Sequence, residues 1–351
     1  FPFIHINQSK INSLIGIVLF VIVLGWGVTY TNNKHLNLNK NIKIYKIVCW
    51  VSIIVIFLQA FMSTVFRIPI SGKIPFLKLQ NIYLSAFENV LYLSRNSFVT
   101  RFSSLFSEPS HFAIYVSPLL CLVLFQKPYP KLQIFQALLI SLSIAISGSG
   151  NGLLILGLIW VMYLILEIRI QPTKLVLFLS LVIPFLYFLY RHPEIQRTFN
   201  RLFLYEGDVT GSKASYRIYR GFDYIRLLPF KNLITGIGYG NLDRFTSSKS
   251  IYSMFDASLG VNREYLNTIS QVIIYSGFIG LVFWINSLYT VVKRSNISGK
   301  MIMLVYIALS FSSSLLIGSN TLIYLILVNS LENDNERIKI YRDSNNPAQL
   351  T

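Results

Sequence analysis

Long apolar runs alternating with short polar segments set the pattern of this chain. The runs fall at 11–30, 45–66, 110–125, 132–147, 150–170, 175–190, 267–292, 300–317 and 321–331. A helix rises about 1.5 Å per residue, so roughly 20 mostly apolar residues carry it across a hydrocarbon core. The run at 132–147 is a little short for that, and the one at 321–331 is shorter still. In lipid every backbone N–H and C=O must be satisfied within the protein, and a helix does so within its own segment. The pattern therefore predicts an all-α, polytopic membrane protein of about nine transmembrane helices, 1–351 forming a single membrane domain.

The polar segments then set orientation. Lys34, Lys40, Lys43 and Lys46 precede or open the second run, Lys127 and Lys131 follow the third, Arg169 and Lys174 the fifth, and Lys293 and Arg294 the seventh. Placing all of them in the cytoplasm satisfies the bias of short loops toward Lys and Arg on the inner side. The two long polar segments, 67–107 and 191–266, then lie outside as extracytoplasmic loops, with a short outer turn at 147–152, Ser-Gly-Ser-Gly-Asn-Gly. The mixed-charge tail, 333–351, falls in the cytoplasm.

Composition agrees with this layout. Hydrophobic residues make up 53% and charged ones 13%, and the mean hydropathy of +0.55 lies outside the range of soluble domains. A formal charge of +17 would point to nucleic acid in a soluble protein. Here the basic residues sit between apolar runs, so the expected partners are membrane lipids and anionic lipid-linked substrates, with no nucleic acid. Cys49 and Cys121 lie inside apolar runs without the neighbours of a metal or redox motif, and read as packing residues. The chain opens on Phe1, without a basic segment or a small-residue cleavage site, which reads as a sequence lacking its true N-terminus.

The runs are nearly free of charge and show no inverted repeat, whereas a transporter is expected to carry ionisable groups at mid-membrane. The chemistry is concentrated in the outer segments. The first cluster is Arg101-Phe-Ser-Ser-Leu-Phe-Ser-Glu-Pro-Ser-His111, just before a run. Pro109 suits the first helical turn, where its missing N–H costs nothing. Glu108 is then either a complement to the positive end of the helix dipole or a proton acceptor, and His111 either a hydrogen-bonded interfacial residue or a second acceptor. The second is Ser215-Tyr-Arg-Ile-Tyr-Arg-Gly-Phe-Asp-Tyr-Ile-Arg226, in which Tyr219, Phe222, Ile225 and Leu228 mark one side of a helix and Arg217, Arg220 and Tyr224 another. It reads as an amphipathic helix with an arginine edge, touching either lipid headgroups or a diphosphate, which the guanidinium fork bonds bidentately. The third, Thr235-Gly-Ile-Gly-Tyr-Gly-Asn241, follows no strand and is no nucleotide loop; it is expected to be a tight turn that brings backbone close to a substrate or a neighbouring helix. The fourth, Asn262-Arg-Glu-Tyr-Leu266, leads into the run that contains Gly277 and Gly280, and its Arg263 and Glu264 read equally as an interfacial ion pair. No Asp-x-Asp pair occurs, and the histidines stand apart at 5, 35, 111 and 192, so no metal site is expected.

Taken in order, these segments resemble a known superfamily. The stretch from Arg101 to His111 resembles the Arg-x-x-x-x-Phe-x-Glu-Pro-Ser signature of Wzy-like capsule, exopolysaccharide and O-antigen polymerases. The turn at 147–152 resembles the short Ser/Thr/Gly turn between two spans of that superfamily. The Arg217 helix with Gly236-Ile-Gly-Tyr-Gly-Asn241 resembles its large outer loop, and Tyr265-Leu266 with Tyr275-Ser-Gly-Phe-Ile-Gly-Leu281 the segment that closes it. The likeness runs from about Phe66 to Leu331. It implies a metal-independent, cofactor-free glycosyltransferase of the membrane-embedded GT-C class in the bacterial cytoplasmic membrane, its active site facing outward. Its substrate would be an undecaprenyl-diphosphate-linked oligosaccharide, with a chain-length regulator and a flippase as partners. Glu108 and His111 would be the catalytic pair; Arg101, Arg217 and Arg220 would bind the diphosphate; and Tyr224, Asn262 and Arg263 are candidate sugar or acceptor contacts. The related O-antigen ligases usually carry a His-Asn pair where this chain has Asn262-Arg263, which favours polymerase over ligase. A non-enzymatic flippase or transporter is the rival from outside the class.

Overall fold

The computed structural model describes residues 38–66, 102–106, 108–127, 132–167, 214–253, 266–316 and 319–331, with the isolated positions 18, 68 and 70. Side chains at 38, 39, 214–218 and 319 are outside that description, although their backbone is helical. Among the described residues the regular structure is α-helical, without a strand. The chain forms two compact units, one spanning 40–207 and one combining 1–39 with 208–351. The apolar runs at 11–30, apart from position 18, and 175–190, and the tail from 333, lie outside the described residues; each other apolar run coincides with a helix.

In the 40–207 unit, α1 spans Leu38–Val65, α2 Pro109–Phe125, α3 Gln133–Ile146 and α4 Gly150–Glu167. Helix α2 is apolar all round, and Phe112, Val116, Leu119, Leu120, Leu124 and Phe125 are buried. A helix without a polar face has to be enclosed, and α3 and α4 both lie against it. Pro118 sits inside α2 and lacks the N–H that would reach the Ile114 carbonyl. The Ser117 hydroxyl donates to that carbonyl at 3.1 Å, so the bond lost to proline is replaced locally.

The predicted turn at 147–152 joins α3 to α4. Gly148 adopts a positive φ of 63°, and the Gly152 amide donates to Ser149 Oγ at 3.2 Å, capping α4. Trp160 Nε1 donates to Ser141 Oγ at 3.0 Å, tying α4 to α3 again. Cys49 and Cys121 are free and buried, in α1 and α2.

In the second unit, α5 spans Ala214–Leu227, α6 Phe230–Thr235, α7 Leu242–Lys249, α8 Thr268–Arg294, α9 Ile297–Ser312 and α10 Ser319–Asn329. Helix α8 is the hub, contacting α5, α6, α9 and α10. Asn267 caps it, its Oδ1 accepting from the Ser270 amide at 2.9 Å.

Among the described residues two helices are long and apolar enough to cross a membrane, Lys40–Val65 and Thr268–Arg294. Each leaves an apolar stripe uncovered. On α1 it comprises Ile47, Val51, Ile54, Leu58, Phe61 and Val65, and on α8 Phe278, Ile279, Val282, Phe283, Ile285 and Tyr289. Contiguous apolar faces of this extent are unfavourable against water and suit lipid, so the structure supports association with a membrane.

Candidate functional site

The stretch that leads into α2 is built around Ser104. Its φ of 55° is the left-handed conformation that a residue bearing a Cβ adopts only at a cost of about 1–2 kcal/mol. Gln59, a polar residue inside apolar α1, holds it there: Gln59 Oε1 accepts from the Ser104 amide at 2.9 Å, and Gln59 Nε2 donates to the Ser104 carbonyl at 3.2 Å. The Ser104 hydroxyl donates to the Ser52 carbonyl of α1 at 2.6 Å. Three hydrogen bonds from one buried residue thus fasten the loop to α1. Sequence reasoning missed Gln59 and Ser104; the available signal was a lone amide in an otherwise apolar run.

Beyond this anchor, Glu108 occupies the N-cap position of α2 in extended backbone (φ −140°, ψ 150°), with Pro109 in the first turn as expected. Its carboxylate makes no capping bond. It is exposed, and Oε2 accepts from Ser110 Oγ at 3.0 Å. His111 follows half-buried in the first turn, its amide donating to the Glu108 carbonyl at 3.1 Å. Glu108 and His111 are therefore together at one helix entrance. Arg101 lies outside the described residues.

The arginine helix forms as expected, but part of its arginine edge is turned inward. Arg220 and Tyr224 are each only 1% exposed, whereas Tyr219 and Phe222 point outward. The guanidinium lies over the Tyr224 ring, 5.9 Å from its centroid. Asp223 accepts from Ser253 Oγ at 2.7 Å. The inward turn follows from a close approach, because a Cβ at Gly221 would come within 2.1 Å of Ser270 Oγ on α8. Only glycine lets α5 lie this near α8, and the adjacent Arg220 is carried in with it. Arg217 is on the same helix; its side chain, and Asn262 and Arg263, lie outside the described residues.

The glycine-rich segment makes the backbone approach expected of it, and its neighbour is α8. Helix α8 is interrupted at Gly277 (φ 69°, ψ −173°). The carbonyls of Ile274 and Tyr275 instead accept from the amides of Ile237 at 2.9 Å and Gly238 at 3.0 Å. Gly236 and Gly277 face each other across this junction. A Cβ on Gly236 would lie 2.3 Å from the Tyr275 oxygen, and one on Gly277 2.1 Å from the Ile234 oxygen. Tyr239 and Tyr275 pack edge to face beside it, ring centroids 4.8 Å apart.

A second polar knot escaped sequence reasoning. Thr268, at the start of α8, bonds the turn between α9 and α10: its hydroxyl donates to the Ser313 carbonyl at 2.7 Å and accepts from the Leu315 amide at 2.8 Å. Gln271 Nε2 donates to Ser314 Oγ at 2.8 Å. Among the described residues no three His, Cys, Asp or Glu side chains gather as a metal site would require.

These features define an all-α protein with two helices of membrane-crossing length and composition, and two groups of fixed polar residues at helix ends. No family model and no curated protein matches the chain.

Proposed function

We propose that the protein is a Wzy-like polysaccharide polymerase: a multi-pass protein of the bacterial cytoplasmic membrane that joins polyprenyl-diphosphate-linked repeat units at the outer face. The observation that carries this reading is the seat of Glu108. An exposed carboxylate stands at the entrance of an apolar helix, in a stretch that Gln59 and Ser104 fasten to α1. A helix that needed only a dipole complement would not require so constrained an approach.

In this reading a hydroxyl of the incoming repeat unit gives its proton to the Glu108 carboxylate, with His111 as the second acceptor. The hydroxyl oxygen bonds to the anomeric carbon of the growing glycan. The bond from that carbon to the phosphate oxygen breaks, and its electron pair leaves with the polyprenyl diphosphate. Negative charge grows on the leaving group as the bond stretches. Arg217 and Arg101, which remain charged at any working pH, therefore stabilise the transition state more than the ground state. Asn262 and Arg263 are the sugar and acceptor contacts, whereas Arg220 and Tyr224, enclosed against each other, hold α5 in place and do not touch substrate.

The test uses the purified full chain with lipid-linked repeat units as both donor and acceptor. Longer lipid-linked glycan is expected, and Glu108→Gln should lower its rate by about 10²- to 10⁴-fold, the usual worth of a positioned base. In cells, Arg217→Ala should leave single repeat units at the outer face. Long lipid-linked chains accumulating unattached in a null strain would identify a ligase instead, and purified protein that lengthens no glycan would point to a transporter.

A further inference from the structure

Within the 40–207 unit, a recess of about 260 Å³ opens between α1, α2 and α3. Its polar lining is Lys46, Gln126, Lys127 and Gln136, and among the described residues no carboxylate lines it. Lys46 Nζ donates to Gln126 Oε1 at 3.1 Å, so a neutral amide holds the half-buried ammonium in place and leaves its charge uncancelled by that partner. Gln133 Nε2 donates to the Leu124 carbonyl at 2.9 Å, fixing the start of α3 against the end of α2. The rest of its lining is Leu119, Leu122 and Val123, one to two turns back along α2 from Gln126, with Trp50 one turn after Lys46 on α1. Lys43, one turn before Lys46, is exposed at the same end of α1. The apolar stripe that begins at Ile47 continues along the helix from here.

We infer that this recess binds the headgroup of an anionic glycerophospholipid, its phosphodiester held by Lys46 and Lys127 and its acyl chains lying along the exposed stripe of α1. Each part of the lining matches a part of that ligand. Ammonium groups meet the phosphate, glutamine amides meet the glycerol and ester oxygens, and Trp50, one turn after Lys46, supplies the amphipathic ring common at a lipid interface. Size argues against a glycan in the same place, because pockets that enclose a drug-sized molecule run from about 300 to 1,000 Å³. The recess is smaller than that, and suits a headgroup whose tails remain outside. The inference depends on residence in a bilayer and not on glycosyl transfer, so lipid retention and polymer synthesis can fail independently.

The test is native mass spectrometry of the full chain in detergent, titrated with phosphatidylglycerol or, in parallel, with zwitterionic phosphatidylcholine. Preferential retention of phosphatidylglycerol is expected. Lys46→Gln and Lys127→Gln should each weaken it about five-fold and the pair about 25-fold, from the worth of one basic residue near an anionic surface. The double arginine variant, Lys46→Arg with Lys127→Arg, should keep the preference, as should Lys293→Gln with Arg294→Gln, which removes charge elsewhere. Equal retention of both lipids, or a Lys46→Gln, Lys127→Gln protein that binds like the parent, would overturn the inference. Displacement of the bound lipid by excess inorganic phosphate would overturn the assignment to a lipid.

Discussion

Glycine at positions 157, 240 and 277 poses three different steric problems, and the differences make a graded prediction. Gly157 sits in α4 with open space around the position a Cβ would take. Alanine there should stabilise the helix by up to about 1 kcal/mol through propensity alone. Gly240 also has room but a φ of +70°, so alanine should cost only backbone strain, about 1–2 kcal/mol. Gly277 combines a φ of +69° with a carbonyl oxygen 2.1 Å from the would-be Cβ. Gly277→Ala should therefore be the most damaging of the three, exceeding the ~1–3 kcal/mol of strain by the cost of parting α6 from α8. Thermal unfolding of the three variants in detergent checks the order; a Gly277→Ala protein as stable as Gly240→Ala would contradict the junction described. Of the three, the sequence marked only Gly240 as a turn-maker, within Thr235-Gly-Ile-Gly-Tyr-Gly-Asn241. It was silent on the partner, because a backbone-to-backbone contact leaves no pattern in side chains.

At the scale of elements, the apolar runs among the described residues are helices, since an unbroken stretch of Leu, Ile, Val and Phe has few other ways to satisfy its backbone in lipid. Faces were harder to read than helices. On α5 the arginine edge was expected to touch lipid headgroups or a diphosphate, yet Arg220 and Tyr224 are an enclosed pair. Periodicity identifies that two sides differ, whereas Gly221 decides which one meets α8. The bonds between α8 and the α9–α10 turn were likewise hidden, being made by scattered Thr, Gln and Ser. Thr268→Val keeps the shape of that side chain and removes both hydrogen bonds of its hydroxyl, to Ser313 and from Leu315. The Leu315 amide loses its partner in a buried place, at a cost of about 1–3 kcal/mol. Hydrogen exchange at residues 313–316 should accelerate in this variant while α2 and α3 are unchanged; unaltered protection at 313–316 would show that the knot does not hold the turn.

For the whole molecule, the balance of surfaces is the deciding property. A chain with 53% hydrophobic residues and two long helices exposing apolar stripes cannot be kept in water by its charge of +17, since in the sequence those charges fall mostly between the apolar runs. The protein is expected to remain with membranes after alkaline carbonate washing and to leave them only with detergent. Recovery in the washed supernatant would mean that the stripes are covered by something other than lipid. The candidate site was legible to the extent that its residues lie in continuous segments: Glu108 and His111 are three positions apart in one stretch. Its support was not, because Gln59 reaches Ser104 across 45 positions of sequence.

The junction at Gly277 also orders events during synthesis. The amides of Ile237 and Gly238 leave the ribosome before the carbonyls of Ile274 and Tyr275 that they serve. The donor segment has thus already emerged when the second half of the clasp follows, so the nascent helix meets its two amides instead of exposing two bare oxygens.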